Sequence, residues 1–111
     1  MKVLIFVTAV FISISAQAEQ FFCEFYYNLD LIESIAVESK NNEKVLILKN
    51  ELATAFINQK SLHDFELEVY LPELQMRLYS RANLSADEGQ ISVSTWSRDS
   101  MIDLICKRQL K

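Results

Sequence analysis

Beyond residue 18 the chain alternates apolar and polar positions with a period of two, the spacing of half-buried strands rather than of helices. In "QFFCEFYYNL", Phe21, Cys23, Phe25, Tyr27 and Leu29 fall on one face. In "SMIDLICKR", Ile102, Leu104 and Cys106 alternate with Met101, Asp103, Ile105 and Lys107. Residues two apart in a strand share a face, so both cysteines stand on the more apolar face of their strands.

The pattern predicts three hairpins. "ESIAVESKNNEKVLILKN" sets Asn41-Asn42 between two apolar runs, and asparagine tolerates the positive φ of tight hairpin turns. A two-residue turn there pairs Val37 with Leu46 and Ile35 with Leu48, all four on one face. "HDFELEVYLPELQMRLYSR" turns at Pro72-Glu73. Leu71 then opposes Leu74, Val69 opposes Met76 and Leu67 opposes Leu78. On the other face Glu68 meets Arg77, Glu66 meets Tyr79 and Asp64 meets Arg81. Pro72 does not suit the primed two-residue turns, which favours a four-residue loop in that register. "GQISVSTWSRDSMIDLICKR" turns at Arg98-Asp99, so that Val93 faces Leu104 and Ile91 faces Cys106. Its reverse face sets Ser92, Ser94 and Trp96 against Ile105, Asp103 and Met101.

The stretch "ELATAFINQKSLHD" fits either a short helix capped by Asn50 or a strand leading into the next one; the neighbouring strands favour the strand. Residues 59–64 and 83–89 read as loops. Seven or eight short strands with polar turns predict an all-β fold, a small antiparallel β-sandwich or barrel. Gly89 is the only glycine, so asparagine and aspartate must make the turns.

The first eighteen residues break the alternation. One charge at Lys2, an apolar stretch from Val3 to Ile14 and small residues at Ala16 and Ala18 read as a secretory signal peptide cleaved before Glu19. The apolar stretch is shorter than the roughly 18–20 residues needed to span a bilayer. The expected organisation is therefore a signal peptide over 1–18 and a single β domain over 19–111, periplasmic or secreted. That domain carries ten basic and fifteen acidic residues. It lacks the basic footprint of a nucleic-acid binder and the polybasic segment that holds a chain to an anionic membrane.

Two cysteines near the ends of an exported chain predict one disulfide, Cys23–Cys106, in an oxidising compartment. In the chain-entropy description, closing a loop of this length stabilises the fold by roughly 4–5 kcal/mol. A metal site is not expected, because two distant cysteines and the single His63 fall short of a ligand set. A cysteine nucleophile would need an activating base, for which His63 is the only imidazole. No glycine-rich phosphate cradle, calcium loop or nucleophile elbow is present, and no cofactor is implied.

Glu66 and Glu68 share a strand face, as paired carboxylates in glycoside hydrolysis do. A small envelope hydrolase using His63 or that pair is therefore the alternative to the favoured reading. The favoured reading is a non-enzymatic binding domain whose partner is a protein or an envelope glycan. Its candidate surface is the last hairpin, with Trp96, Met101 and Ile105 on the face opposite Cys106 and Arg98 at the turn. That face is either open for recognition or covered by a second layer. A stripe of Arg77, Tyr79 and Arg81, read as lying next to Trp96, would suit an anionic or glycan ligand. Asn83-Leu84-Ser85 forms an N-glycosylation triplet.

Overall fold

A computed structural model describes residues 19–85 and 89–109; the targeting segment read in residues 1–18 lies outside them. Eight strands account for most of the described chain: β1 Gln20–Tyr27, β2 Asp30–Glu38, β3 Lys44–Lys49, β4 Thr54–Gln59, β5 Asp64–Leu71, β6 Met76–Asn83, β7 Gln90–Trp96 and β8 Met101–Arg108. They form two antiparallel four-stranded sheets, in the orders β2-β1-β8-β7 and β3-β4-β5-β6. The fold is an all-β sandwich, as the alternation predicts.

The period-two pattern decides which side chains meet between the layers. Phe21, Cys23 and Phe25 of β1, Ile91 and Val93 of β7, and Ile102, Leu104 and Cys106 of β8 are buried on the inner side of the first sheet. Ala55 and Ile57 of β4 and Phe65, Leu67, Val69 and Leu71 of β5 answer them from the second. Phe21 meets Phe65 edge-on across the layers, with ring centroids 5.1 Å apart. Burying each such ring contributes about 1.5–3 kcal/mol before ordering costs are counted.

Cys23 and Cys106 are bonded and lie directly opposite one another on β1 and β8, within one sheet. Their Cα atoms are 4.0 Å apart, which marks the narrow, non-hydrogen-bonded site of an antiparallel ladder. The β7–β8 hairpin has the predicted register, with Val93 opposite Leu104, Ile91 opposite Cys106 and Trp96 opposite Met101. Its loop is Ser97–Ser100, closed by the Ser97 N–H donating to the Ser100 carbonyl at 2.8 Å.

The other two hairpins need correction. Asn41-Asn42 does make a tight turn, with Asn42 at φ 59° and the Glu43 N–H donating to the Lys40 carbonyl at 3.1 Å. Yet β2 pairs with β1 and β3 with β4, so the turn carries the chain from one sheet to the other. Val37 does not pair with Leu46, nor Ile35 with Leu48. Leu46, opposite the outward Phe56, is exposed, and a register shift between Leu46 and Leu48 on β3 brings Leu48 inward beside Ile47, so the two leucines do not share a face. At this crossing a small polar cluster is buried. The Ser39 hydroxyl donates to Gln59 Oε1 at 2.8 Å, and the Ser39 N–H donates to the Glu19 carbonyl at 2.8 Å. Satisfying these groups is what lets a polar corner enter the core.

The partner of β2 is β1, through a two-residue turn at Asn28-Leu29 that the sequence reading places inside a strand. Both residues have positive φ, 51° and 75°, the requirement of a type I′ turn. In the β5–β6 hairpin the loop is Pro72–Gln75, with Gln75 at φ 51°. Leu71 therefore opposes Met76, Val69 opposes Leu78 and Glu68 opposes Tyr79. This is two residues away from the predicted register, because proline cannot take the positive φ of the shorter turn. A shift of two keeps every side chain on its predicted face. The stretch after Asn50 is a strand preceded by a turn, in which Asn50 Oδ1 accepts from the N–H groups of Leu52 at 2.8 Å and Ala53 at 3.0 Å.

Two stability outcomes follow from this architecture. Replacing both cysteines by alanine, or adding reductant, is expected to cost about 2–5 kcal/mol, read as a lowered melting temperature. A melting temperature that ignores reductant would contradict the bridge. Leu29→Gly relieves a side chain from a left-handed backbone that costs about 1–2 kcal/mol for an L-residue, so it should raise the melting temperature by several degrees.

Candidate functional site

Four turns gather at one end of the sandwich: 28–29, 50–53, 72–75 and 97–100. Cross-links hold this end together. The Asn28 N–H donates to the Met101 carbonyl at 2.8 Å, and the Met101 N–H donates to Asn28 Oδ1 at 2.7 Å. Asn50 Nδ2 donates to Glu33 Oε1 at 3.1 Å, joining the two layers. The first pair of bonds ties the β1–β2 turn to the start of β8. The side chains around it therefore rest on a fixed backbone rather than on free loops.

Trp96 stands at this end on the outer side of the first sheet. Ile91 and Val93 take the inner side of β7, so alternation turns Trp96 out, and it is 75 % exposed. Among the described residues nothing covers it. A cleft of about 280 Å³ lies beside it, lined by Asn28, Trp96, Arg98, Asp99 and Met101 among others. Met101 and Ile105 are half-buried on the same side. Leu29, at the adjacent turn, is 74 % exposed. It holds a position where glycine would be conformationally cheaper.

Arg77, Tyr79 and Arg81 do not lie next to Trp96. The β5–β6 register puts them on the outer face of the second sheet, opposite Tyr70, Glu68 and Glu66 respectively, so the two candidate groups look away from each other. On that second face Phe56, Glu68 and Tyr79 form one row across β4, β5 and β6. Glu68 is only 6 % exposed and serves two cations. Lys44 Nζ is 2.9 Å from Oε1, and Arg77 Nη1 donates to Oε2. Arg77 reaches Glu68 diagonally, one step along the ladder from the residue directly opposite. Arg81 binds Asp64 through both carboxylate oxygens, at 3.0 and 2.5 Å.

These cations are engaged on their aromatic neighbours as well. Arg77 lies 5.1 Å from the Tyr70 ring centroid and Lys44 5.1 Å from that of Phe56. Burial pushes the Glu68 carboxyl up, but the hydrogen bonds from Lys44 and Arg77 outweigh it and hold the group below the usual carboxylate range. The hydrogen bond from Arg81 does the same for Asp64, and the two guanidiniums are raised in return. The stripe is thus a neutralised ion-pair face, with little charge left over for an anionic ligand.

Glu66 and Glu68 share the outer face of β5, and the acids of the hydrolytic alternative are engaged by cations. His63 sits in the turn before β5, and its Nδ1 is buried without a hydrogen-bond partner among the described residues. The neighbouring Asp64 carboxylate is occupied by Arg81. Glu66 lies 4.0 Å from Lys60 Nζ, and Glu68 is held by its two cations. Among the described residues no nucleophile–base hydrogen bond links these groups. No protein-family model, no curated protein and no solved structure matches the chain.

Reading the sequence alone missed Leu29, because leucine is not a turn residue. The available signal was Asn28 and Asp30 flanking it, two residues that favour turns.

The ion pairs set an acid limit on the fold. Asp64 and Glu68 titrate lower when folded than the roughly 4–4.5 of an unfolded carboxyl. Their contribution is therefore complete above that range and is lost as pH falls through the folded-state values. The melting temperature should hold from neutral pH to about pH 5 and fall below it. Glu68→Gln should lower stability by about 1–2 kcal/mol at neutral pH and flatten the acid slope, as measured by thermal melts across pH.

Proposed function

We propose that this chain is a small exported, non-enzymatic binding domain. Its partner, a protein or an envelope glycan, docks at the end of the sandwich that carries Trp96. The observation that carries the reading is Trp96 itself, 75 % exposed beside a cleft that Asn28, Arg98, Asp99 and Met101 help to line. A tryptophan offers a large apolar area, a single N–H donor and few rotamers to freeze, which is why it recurs as an anchor in recognition surfaces. Arg98 and Asp99 give that anchor a charged rim.

Leu29 supports the same end. A leucine in left-handed backbone, with most of its surface in water, gives the folded chain neither conformational ease nor burial. Strain retained at an exposed position is characteristic of sites that serve something outside the chain. Export is supported by the signal-like pattern of residues 1–18 and by the disulfide, which is compatible with an oxidising compartment.

Trp96 is the only tryptophan in the chain, so its fluorescence reports on this surface alone. Titrating residues 19–111 with soluble envelope extract, and separately with its glycan fraction, should shift and enhance the emission. Immobilised wild-type domain should recover a partner that Trp96→Ala fails to recover. Identical recovery by both, with unchanged Trp96 emission, would remove this surface from consideration.

A further inference from the structure

A second interaction site is written into the backbone of β2. Among the described residues this strand is an edge of the first sheet and pairs only with β1. The parity of its free groups follows from the disulfide. Cys23 and Cys106 occupy a non-hydrogen-bonded site of the β1–β8 ladder, so the backbone groups of Cys23 point the other way, toward Ile35 of β2. Two terminal bonds agree: the Ser39 N–H donates to the Glu19 carbonyl, continuing the odd-numbered series, and the Gln109 N–H donates to the Gln20 carbonyl, continuing the even-numbered series on the β8 side. On β2 the N–H and C=O groups of Ser34, Ala36 and Glu38 therefore point away from the sheet.

The four edges of the sandwich are not equally guarded. β3 carries Lys44 and Lys49 and is interrupted by its register shift. β6 carries Arg77 and Arg81, and β7, which like β2 has no lysine, arginine or proline, packs across the layers against β5 and β6 more extensively than β2 does against β3. Lysines, arginines and bulges are what keep an edge from accepting another strand. β2 has no lysine, arginine or proline, and beyond its one bulge the stretch from Glu33 to Glu38 is regular. Along it Ile35 and Val37 remain half-buried at the margin of the core. An added strand would complete their burial.

The strand is also wholly acidic in its charges: Asp30, Glu33 and Glu38. A cleft of about 220 Å³ at its far end is lined by Phe21, Ala36, Val37 and Glu38, with Gln20 and Gln109. Apolar lining with a carboxylate matches a lysine or arginine, whose stem is apolar and whose head is cationic. A second copy of this chain is a poor occupant, since its own β2 would bring three more acids and no cation to the contact.

We propose that β2 accepts an extended segment of a partner protein, added as a ninth strand, in which apolar and basic side chains alternate. Backbone hydrogen bonds to Ser34, Ala36 and Glu38 supply the attachment, and the alternate side chains supply the selectivity. The site is separate from the Trp96 cleft and stands or falls independently of it.

The test uses isotopically labelled residues 19–111 and two short end-blocked peptides, one of alternating valine and lysine, the other of alternating valine and glutamate. The valine–lysine peptide should perturb and protect the amides of Ser34, Ala36 and Glu38, and bind about tenfold or more tightly than its acidic counterpart. Ala36→Pro should abolish binding. The Ala36 N–H faces solvent, so proline takes nothing from the β1–β2 ladder and the melting temperature should hold. Glu38→Lys, which leaves the backbone intact, should erase the preference for the basic peptide and decides the matter if the proline variant does not fold. Trp96→Ala should bind like wild type. Equal binding of the two peptides, amide shifts confined to residues 96–101, or no perturbation at 34–38 would overturn the proposal. Dimerisation of the wild type that Ala36→Pro reverses would overturn it too, by making a second copy the occupant.

Discussion

A disulfide between directly opposed residues of an antiparallel pair is a register lock, and this fold is organised around one. Cys23 and Cys106 fix β1 against β8 at the middle of the first sheet. A slip of one residue would turn every core side chain of those strands to water. The lock also assigns direction to the backbone. With the cysteines in a narrow site, alternate N–H and C=O groups of β1 must serve β2, and the groups left over on β2 face outward. Core, register and free edge are thus three consequences of one covalent contact.

The two sheets solve the same burial problem with different outer surfaces. The second sheet closes its outer face with its own ion pairs: Lys44, Glu68 and Arg77 in one group, Asp64 and Arg81 in another, each cation opposed by a carboxylate within reach. Among the described residues the first sheet leaves Trp96 without such a cover and its β2 edge without a cation. This asymmetry is what directs functional attention to the first sheet. A charge that is already paired and hydrogen-bonded has little to gain from a ligand, whereas an uncovered indole and an unpaired ladder edge have much to gain.

Strand content, the disulfide and the β7–β8 register were legible in the sequence because each rests on local alternation with a clear polar loop between its arms. Trp96 could be placed on the face opposite Cys106 for the same reason. Partner choice between strands was not legible. Val37 and Ile35 present the same apolar spacing whether they meet Leu46 and Leu48 in a hairpin or face another layer, and alternation reports the face rather than the neighbour. The Asn28-Leu29 turn was hidden because its second residue is neither glycine nor asparagine. The β5–β6 slip of two was hidden because it exchanges one chemically sensible row for another: Glu68 still finds Arg77, and Asp64 still finds Arg81, along the diagonal.

The strand order has a consequence for the order of assembly. The second sheet is a meander of consecutive strands, β3 to β6, whose pairings are all local in sequence and therefore fast to form. The first sheet draws its two central strands from opposite ends of the domain, 83 residues apart at the cysteines. During synthesis β1 and β2 must wait, with an unpaired thiol and an exposed inner face, until the last strand arrives. Joining Cys23 to Cys106, with the two electrons and two protons passing to an oxidant of the compartment, is then a late event that waits for β8, and a truncated product lacking β8 would carry a free thiol as its mark.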